Sequence, residues 1–301
     1  MSHFNDLDIF IHAVDLGSLS AAARQLNMTP SAVSVAVKRL ETRLGVRLLV
    51  RSTRSQRLTD EGRRYLDSAR IALAALAEGE EAILRGVKGL TGVLQISAPS
   101  DLGRSMLLGW LDEFRQIHPH IQIQLLLNDR PADLFREPVD IALRYGIPED
   151  SSLVALPILP EHPRTLCASP AYLARHGEPT TPQELAQHNA LLYQRKGRHH
   201  TLWRFTRHGV VEEVRVRGNL STDDGDVARR WALSGQGIVY KSALDVIDDL
   251  RAGRLIKLLP EWQGDNTPLN LLCPHRAQVS ERVKVFQQFL QQRCVEKMAG
   301  Y

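Results

Sequence analysis

The stretch Ser20 to Leu44, SAAARQLNMTPSAVSVAVKRLETRL, constrains this chain more than any other, because its pattern fits two short helices joined by a tight bend. Ala21, Ala22, Ala23 and Leu26 give the first helix a side of small residues, which lets a second helix cross close by. Asn27-Met28-Thr29 breaks that pattern. Thr29 is placed to cap the next helix, and Pro30 falls at its first position, where a missing N–H costs nothing. Val33, Val37, Leu40 and Leu44 then recur at helical spacing and mark the buried face. The outward set is Ser31, Ser34, Val35, Lys38 and Arg39, with small or hydroxyl-bearing residues first and cations later. Short side chains let the start of a helix enter a DNA major groove, and cations along its flank meet phosphates. A helical hairpin with a solvated basic face would show the same periodicity.

Charge separates the two readings. Between Arg24 and Arg57 stand Arg24, Lys38, Arg39, Arg43, Arg47, Arg51, Arg54 and Arg57, and the only acid is Glu41. The whole chain carries a formal charge of only +4, so much of the positive charge is concentrated here. A local basic excess beside a helix-turn-helix is the footprint of a phosphate-binding surface.

The opening FNDLDIFIHAVDLGSLSAAARQLNMTPSAVSVAVKRLETRLGVRLLVRSTRSQRLTDEG resembles the N-terminal domain of LysR-type transcriptional regulators. The residues that carry the resemblance are the S-x-x-x-A-A-x-x-L pattern of Ser18 to Leu26, the Leu40-Glu41 pair, LGVRLL at Leu44 to Leu49, and LTDEG at Leu58 to Gly62. It implies a DNA-binding set of Ser20, Thr29, Pro30, Ser31, Ser34, Val35, Lys38, Arg39, Arg51 and Arg54. Many members place Arg and Gln in the middle of the recognition helix, where Val35 and Ala36 stand here. Base contacts from those two positions are therefore apolar or absent.

After Gly45, Val46 to Leu58 alternates apolar and basic residues and predicts a two-stranded wing with Arg51, Arg54 and Arg57 about its tip. Thr59 caps the next helix, with Asp60 and Glu61 in the first turn, where the helix dipole favours acids. Leu66, Ala69, Leu73, Leu76, Ile83 and Val87 follow a repeat of about 3.5 residues, with Glu80 between Leu76 and Ile83; the spacing predicts a coiled-coil seam. The dimer contact is expected at Leu66, Leu73, Leu76 and Ile83. A helix packed on its own domain is the bland alternative. Glycines at 86, 89 and 92 mark a hinge.

From Gly92 on, strands alternate with helices, which predicts largely parallel sheets in two α/β lobes. The layout resembles the effector domain of the same family, itself similar to periplasmic binding proteins. Ligands of open α/β sheets sit off the carboxyl ends of strands. The expected effector site is Ser100, Asn128, Tyr145, Gly146, Tyr193, Thr222 and Lys241. Ser100 and Thr222 lie just ahead of helices and suit an anion, and Lys241 is placed to add a charge for a carboxylate. Asp223, Asp224 and Asp226 read as caps. No phosphate loop and no nucleophile elbow occurs, and the His118/His120 and His199-His200 pairs lack metal-ligand spacing. Neither cofactor nor metal is expected.

The fold expected is therefore multi-domain: an N-terminal all-α winged helix-turn-helix over 1–58, a linker and dimerisation helix over 59–89, and a two-lobed α/β effector domain over 90–301. The function expected is a DNA-binding, effector-responsive transcription regulator of the LysR type, not an enzyme. Its effector is an organic acid held between the lobes. The rival is a small-molecule binding protein or enzyme with an accessory DNA-binding domain. Expected partners are double-stranded DNA, a small-molecule effector, further copies of the chain as homodimer or homotetramer, and RNA polymerase. Without a basic leader, an apolar span or paired cysteines, the chain reads as cytoplasmic and apart from membranes.

Overall fold

The computed structural model describes residues 3–51, 56–88, 90–129, 139–148, 153–195, 198–273 and 279–300. It divides into two compact units, Met1–Gly89 with His275–Glu281, and Leu90–Pro274 with Arg282–Tyr301.

In the first unit, helices α1 (His3–Asp15), α2 (Leu19–Gln25) and α3 (Pro30–Leu44) surround one core. Thr29 caps α3 by accepting the Ala32 N–H at 3.2 Å, Pro30 is its first residue, and Gly45 ends it in the left-handed conformation at φ 72°. Strands β1 (Leu49–Arg51) and β2 (Gln56–Leu58) pair antiparallel as the wing. Helix α4 (Asp60–Lys88) follows, with the Thr59 hydroxyl accepting the Gly62 N–H at 2.9 Å. Phe10, Ala22, Val33, Val37, Leu40 and Leu48 are fully buried together. At roughly 1.5–3 kcal/mol per large apolar side chain, this burial holds the three helices and the wing as one body.

The second unit begins with β3 (Gly92–Ala98), followed by a continuous helical stretch: α5 (Ser100–Leu102), a π turn over Gly103–Leu107, and α6 (Leu108–Ile117). Strands β4 (Ile121–Leu127), β5 (Ile141–Tyr145) and β6 (Val154–Leu159) complete the first pass through one lobe. The other lobe holds β7 (Arg164–Ala168), α7 (Pro170–His176), a 3-10 turn over Pro182–Gln187, β8 (Asn189–Arg195), β9 (Arg198–His199) and the hairpin of β10 (Leu202–Arg207) with β11 (Val210–Arg215). It continues through β12 (Arg217–Thr222), α8 (Gly225–Leu233), β13 (Val239–Ser242), α9 (Ala243–Arg251), β14 (Ile256–Leu258) and β15 (Gln263–Gly264). The chain then returns to the first lobe as β16 (Leu269–Cys273) and α10 (Glu281–Met298), where Phe286 meets Phe114 edge-on with ring centroids 5.1 Å apart.

The five-stranded sheet runs β4-β3-β5-β16-β6. Here the expectation of largely parallel sheets needs correction. β3 is parallel to β4 and β5, but β16 is antiparallel to both β5 and β6, and β7 is antiparallel to β13 and β14. The chain crosses between lobes twice, and β16 enters the first sheet after every other strand of that sheet has been laid down. An antiparallel neighbour needs no crossover helix, so alternation of strands and helices in the sequence does not reveal it. No helix among the described residues is long and apolar enough to cross a membrane.

Candidate functional site

The first candidate surface is the outer side of α3. Ser31, Val35 and Lys38 are exposed, Ser34 is half-buried, and Val35 shows 58% of its surface. Ser20, Thr29 and Pro30 are exposed beside them, and the Thr29 and Ser31 hydroxyls are hydrogen-bonded at 3.0 Å. An apolar side chain this open, among hydroxyls and beside a cation, suits a groove wall more than bulk water. Of the two positions from which base contacts were expected to be apolar or absent, Ala36 is buried in the core at 3% exposure and offers none. The helical period turns it to the same side as Val33 and Val37.

Arg39 also departs from expectation. Its guanidinium grips the buried carboxylate of Asp6 on α1 with two nitrogens, Nε donating at 2.6 Å. This hydrogen bond raises the Arg39 pKa. The residue fastens α3 to α1 and is not a free phosphate contact. Glu41, the single acid of the basic stretch, accepts the backbone N–H groups of Leu48 at 2.8 Å and Leu49 at 3.0 Å, tying the wing to α3. The Arg51 side chain and all of Arg54 lie outside the described residues.

On α4, Leu66 and Ala69 are buried in the core of their own unit, and Leu73 packs on its edge. The assignment of Leu66 to a dimer seam is thereby corrected: the first turns of the helix cover α1, and Arg70 pairs with Asp15 of that helix. Leu76, at 40% exposed, is where the apolar row becomes open. The side chains of Glu80, Ile83 and Val87 lie outside the described set.

The second candidate site lies between the two lobes of the second unit. Tyr193 and Thr222 are register partners on β8 and β12, so two expected effector residues stand side by side at adjacent strand ends. The Thr222 hydroxyl accepts the Asp224 N–H at 3.0 Å, and Asp224 caps α8 by accepting from Asp226 and Val227. Burial pushes the Asp224 pKa up, but hydrogen bonds from Arg104, Val227 and Ser100 outweigh it and leave it lowered. Arg104 donates to it at 3.0 Å across the lobes. Gly146 turns the chain after β5 and receives the Asn270 side-chain N–H at 2.9 Å. Asn128 closes β4 through its N–H to Ala98 at 2.9 Å.

Ser100 lies at the centre and is already engaged. The Asp129 carboxylate accepts its N–H at 2.5 Å and its hydroxyl at 2.6 Å, and accepts the Gly225 N–H at 2.6 Å. One carboxylate thus joins the start of α5 to the start of α8. Gly225 is also a close approach: a Cβ there would meet Lys241 Nζ at 3.1 Å and Asp101 Cβ at 3.3 Å, with an Asp129 oxygen at 3.6 Å.

Lys241, expected to offer a charge to a ligand, is 8% exposed and ion-paired with Asp101. It also donates to the Gly225 carbonyl at 2.9 Å and lies 3.9 Å from Asp245. Its charge is consumed within the protein, and the correction follows from burial, since a cation out of water keeps its charge only beside an anion. Burial raises the Asp101 pKa against the pull of Lys241. Asp245 is pushed to about 7 by burial and by the Asp101 charge, while Lys241 and the Tyr145 hydroxyl pull the other way. Tyr145, from the first lobe, donates to Asp245 of the second at 2.6 Å. Asp245 and Arg104 were not expected at the site; Asp129 stands at one of the strand ends where a ligand was expected, but its role in bonding two helix starts was not foreseen.

The family description of a bacterial regulatory helix-turn-helix protein, lysR family, matches residues 4–63, and that of a LysR substrate binding domain matches residues 88–295. The chain is 36% identical over 296 residues to the HTH-type transcriptional regulator CrgA of Neisseria meningitidis serogroup B, covering 98% of each. The solved structure of CrgA is similar with a TM-score of 0.62 at 34% identity, covering 98% of this chain and 99% of that one. The HTH-type transcriptional activator TtdR of Escherichia coli K12 is 30% identical, over 97% of this chain and 94% of TtdR. The full-length structure of AphB, a Vibrio cholerae virulence activator of the LTTR family, matches with a TM-score of 0.56 at 29% identity, covering 96% and 98%.

Proposed function

The chain belongs to the LysR family of bacterial transcriptional regulators, and on that premise we propose that it switches transcription when a small organic acid enters the cleft between its two α/β lobes. LysR regulators bind DNA and small-molecule effectors and form oligomers. For this chain, Ser31, Ser34 and Val35 address base edges, and Lys38, Arg51 and Arg54 meet phosphates. The observation that carries the DNA reading is the open Val35 between Ser31 and Lys38 on the first half of α3.

The effector is bounded by Ser100, Asn128, Tyr145, Gly146, Tyr193 and Thr222. Its acid group takes the place that Asp129 holds across Ser100 and Gly225. This exchange supplies the differential affinity for two lobe arrangements that any ligand switch requires. The apolar repeat of α4 through Leu73, Leu76 and Ile83 pairs two copies, and the assembled dimer or tetramer, working in the cytoplasm, presents its bound DNA to RNA polymerase. The chain acts as a regulator and not as an enzyme.

A gel shift with the promoter next to its own gene, titrated with small organic acids, tests this. Retarded DNA whose mobility or affinity changes with one acid supports the reading. Binding that no acid alters removes the acid effector, and absence of retardation removes the DNA reading.

A further inference from the structure

On the far side of the second lobe's sheet, away from Lys241 and Asp101, the structure holds a separate cavity of about 240 Å³ between β7, β14 and the segment through β15. Its floor is made by Leu166, Phe205 and Leu258, each at most 3% exposed, with the Trp262 indole along one wall. Arg164 and Lys257 line it with cationic side chains.

Cationic side chains outnumber acids in the lining of this cavity. The acid of its rim, Glu261, is tied to Arg207 at 3.1 Å, and that guanidinium lies 4.5 Å over Trp262. Arg164 is half-buried, yet its guanidinium donates a single 3.3 Å hydrogen bond, to the Tyr240 carbonyl, and lies 5.7 Å from the Tyr240 ring centre. Among the described residues no carboxylate stands within ion-pair distance of it; Asp265 and Asp245 act on it through longer-range charge. A half-buried guanidinium with one protein hydrogen bond among its five donors matches a two-oxygen acceptor.

We propose that this cavity is a second small-molecule site, separate from the lobe cleft, which takes an amphipathic monocarboxylate. A ring or branched alkyl body rests on Leu166, Phe205, Leu258 and Trp262, and the carboxylate meets Arg164 with Lys257. The volume fits a single ring with a short acid arm, at the small end of ligand pockets. The position gives such a ligand leverage on the lobes. The chain leaves the first lobe through residues 160–163 and returns through 265–268, and Pro163 and Gly264, at the ends of these two crossings, both line the cavity. The crossings are bonded to each other, Arg164 N–H to the Asp265 carbonyl at 2.8 Å and Thr267 N–H to the His162 carbonyl at 2.7 Å. A ligand wedged beside them favours one lobe orientation without touching Ser100 or Asp129.

The test uses the full chain and phenylacetate, followed by calorimetry and by tryptophan emission, with phenylacetamide as the neutral isostere. Expected is saturable phenylacetate binding, with the amide about tenfold weaker or worse because it forfeits a charge-assisted hydrogen bond. Arg164→Gln and the surface variant Lys257→Glu both weaken it, Trp262→Phe removes the emission change while heat remains, and Ser100→Ala leaves affinity unaltered. The proposal is overturned if the amide binds as well as the acid, if Lys257→Glu has no effect, if Ser100→Ala abolishes binding, or if no saturable binding occurs. Loss of binding in Arg164→Gln and Lys257→Glu reads this cavity, whereas loss in Ser100→Ala reads the cleft proposed above, so failure of one site is distinguished from failure of the other.

Discussion

The N–H of Gly225, first residue of α8, donates a 2.6 Å hydrogen bond to the carboxylate of Asp129, two residues beyond the end of β4. The same carboxylate holds Ser100, so the point where two helix starts converge is occupied by an anion that the chain itself supplies. Dipoles of the two helices and three donors converge on that charge, which stabilises it and fastens one lobe to the other.

Replacing Asp129 by Gly strips those donors of their acceptor. The second unit should lose ~1–3 kcal/mol of stability, the usual cost of buried polar groups left unpaired. Formate should raise the melting temperature of Asp129→Gly by filling the vacant position, and leave wild type unmoved. Thermal-shift titration checks this, and an equal response from both proteins would mean that Asp129 holds no anion seat.

Lys38 and Arg39 are neighbours in sequence with different work. Lys38→Ala should flatten the salt dependence of DNA binding by about one unit of slope, because one fewer counterion is released. Arg39→Ala should leave that slope unaltered and lower the melting temperature of the DNA-binding unit, since it frees the buried Asp6 carboxylate. Binding isotherms across a salt series, paired with melts, separate the two; a reduced slope for Arg39→Ala would return it to the phosphate contacts.

Truncating Leu66 and Leu76 should likewise have unlike effects. Leu66→Ala opens a void in the unit's own core and should cost ~2–5 kcal/mol of folding stability without altering mass at high concentration. Leu76→Ala should weaken self-association and leave the melt of the monomer nearly unaltered. Light scattering over a dilution series would show the reverse pattern if α4 does not pair the chains.

Asp245 gives the second unit a pH dependence of known sign. Its folded pKa of about 7 lies above the ordinary carboxylate value of 3.8, so the stability it lends is complete below 3.8 and is lost as pH rises through about 7. His162, held near 4 by burial against the ordinary imidazole value of 6.5, works oppositely: its contribution is present above 6.5 and lost as pH falls through about 4. Asp101, Lys241, Tyr145 and Arg164 face Asp245 and set its balance. Asp245→Asn retains an acceptor for Tyr145 and removes one titration, so stability should fall less between pH 4 and pH 7 than in wild type. Denaturant melts at a series of pH values measure the difference.

The helix-turn-helix was readable because its determinants are local. Thr29, Pro30 and the Val33-Val37-Leu40 row act within a few residues of one another, and the caps and buried face occur where their spacing predicts. The strand ends that carry Ser100, Asn128, Tyr145 and Thr222 were readable for the same reason. What each side chain bonds was not. Asp129 reaches Gly225 across 96 positions, and Tyr145 reaches Asp245 across 100. Contacts of that span depend on how the lobes close and leave no periodicity in the chain. Arg39 and Lys38 look alike as bases in a helix; only the placement of Asp6 on α1 tells them apart. Leu66 fits a heptad as well as it fits a core, because both demand the same apolar side chain.

The crowding around Gly225 has a genetic consequence. A glycine codon reaches alanine, serine, valine and aspartate by single base changes, and each adds a Cβ that lies 3.1 Å from Lys241 Nζ and 3.3 Å from Asp101 Cβ, so these neighbours must give by a few tenths of an ångström. In a colony selection for transcription that no longer responds to the proposed effector, residue 225 should therefore return many independent isolates. Those alleles would be dominant or recessive according to how mixed oligomers sit on the promoter, and their phenotype would come from a position that lends a ligand nothing but a backbone N–H.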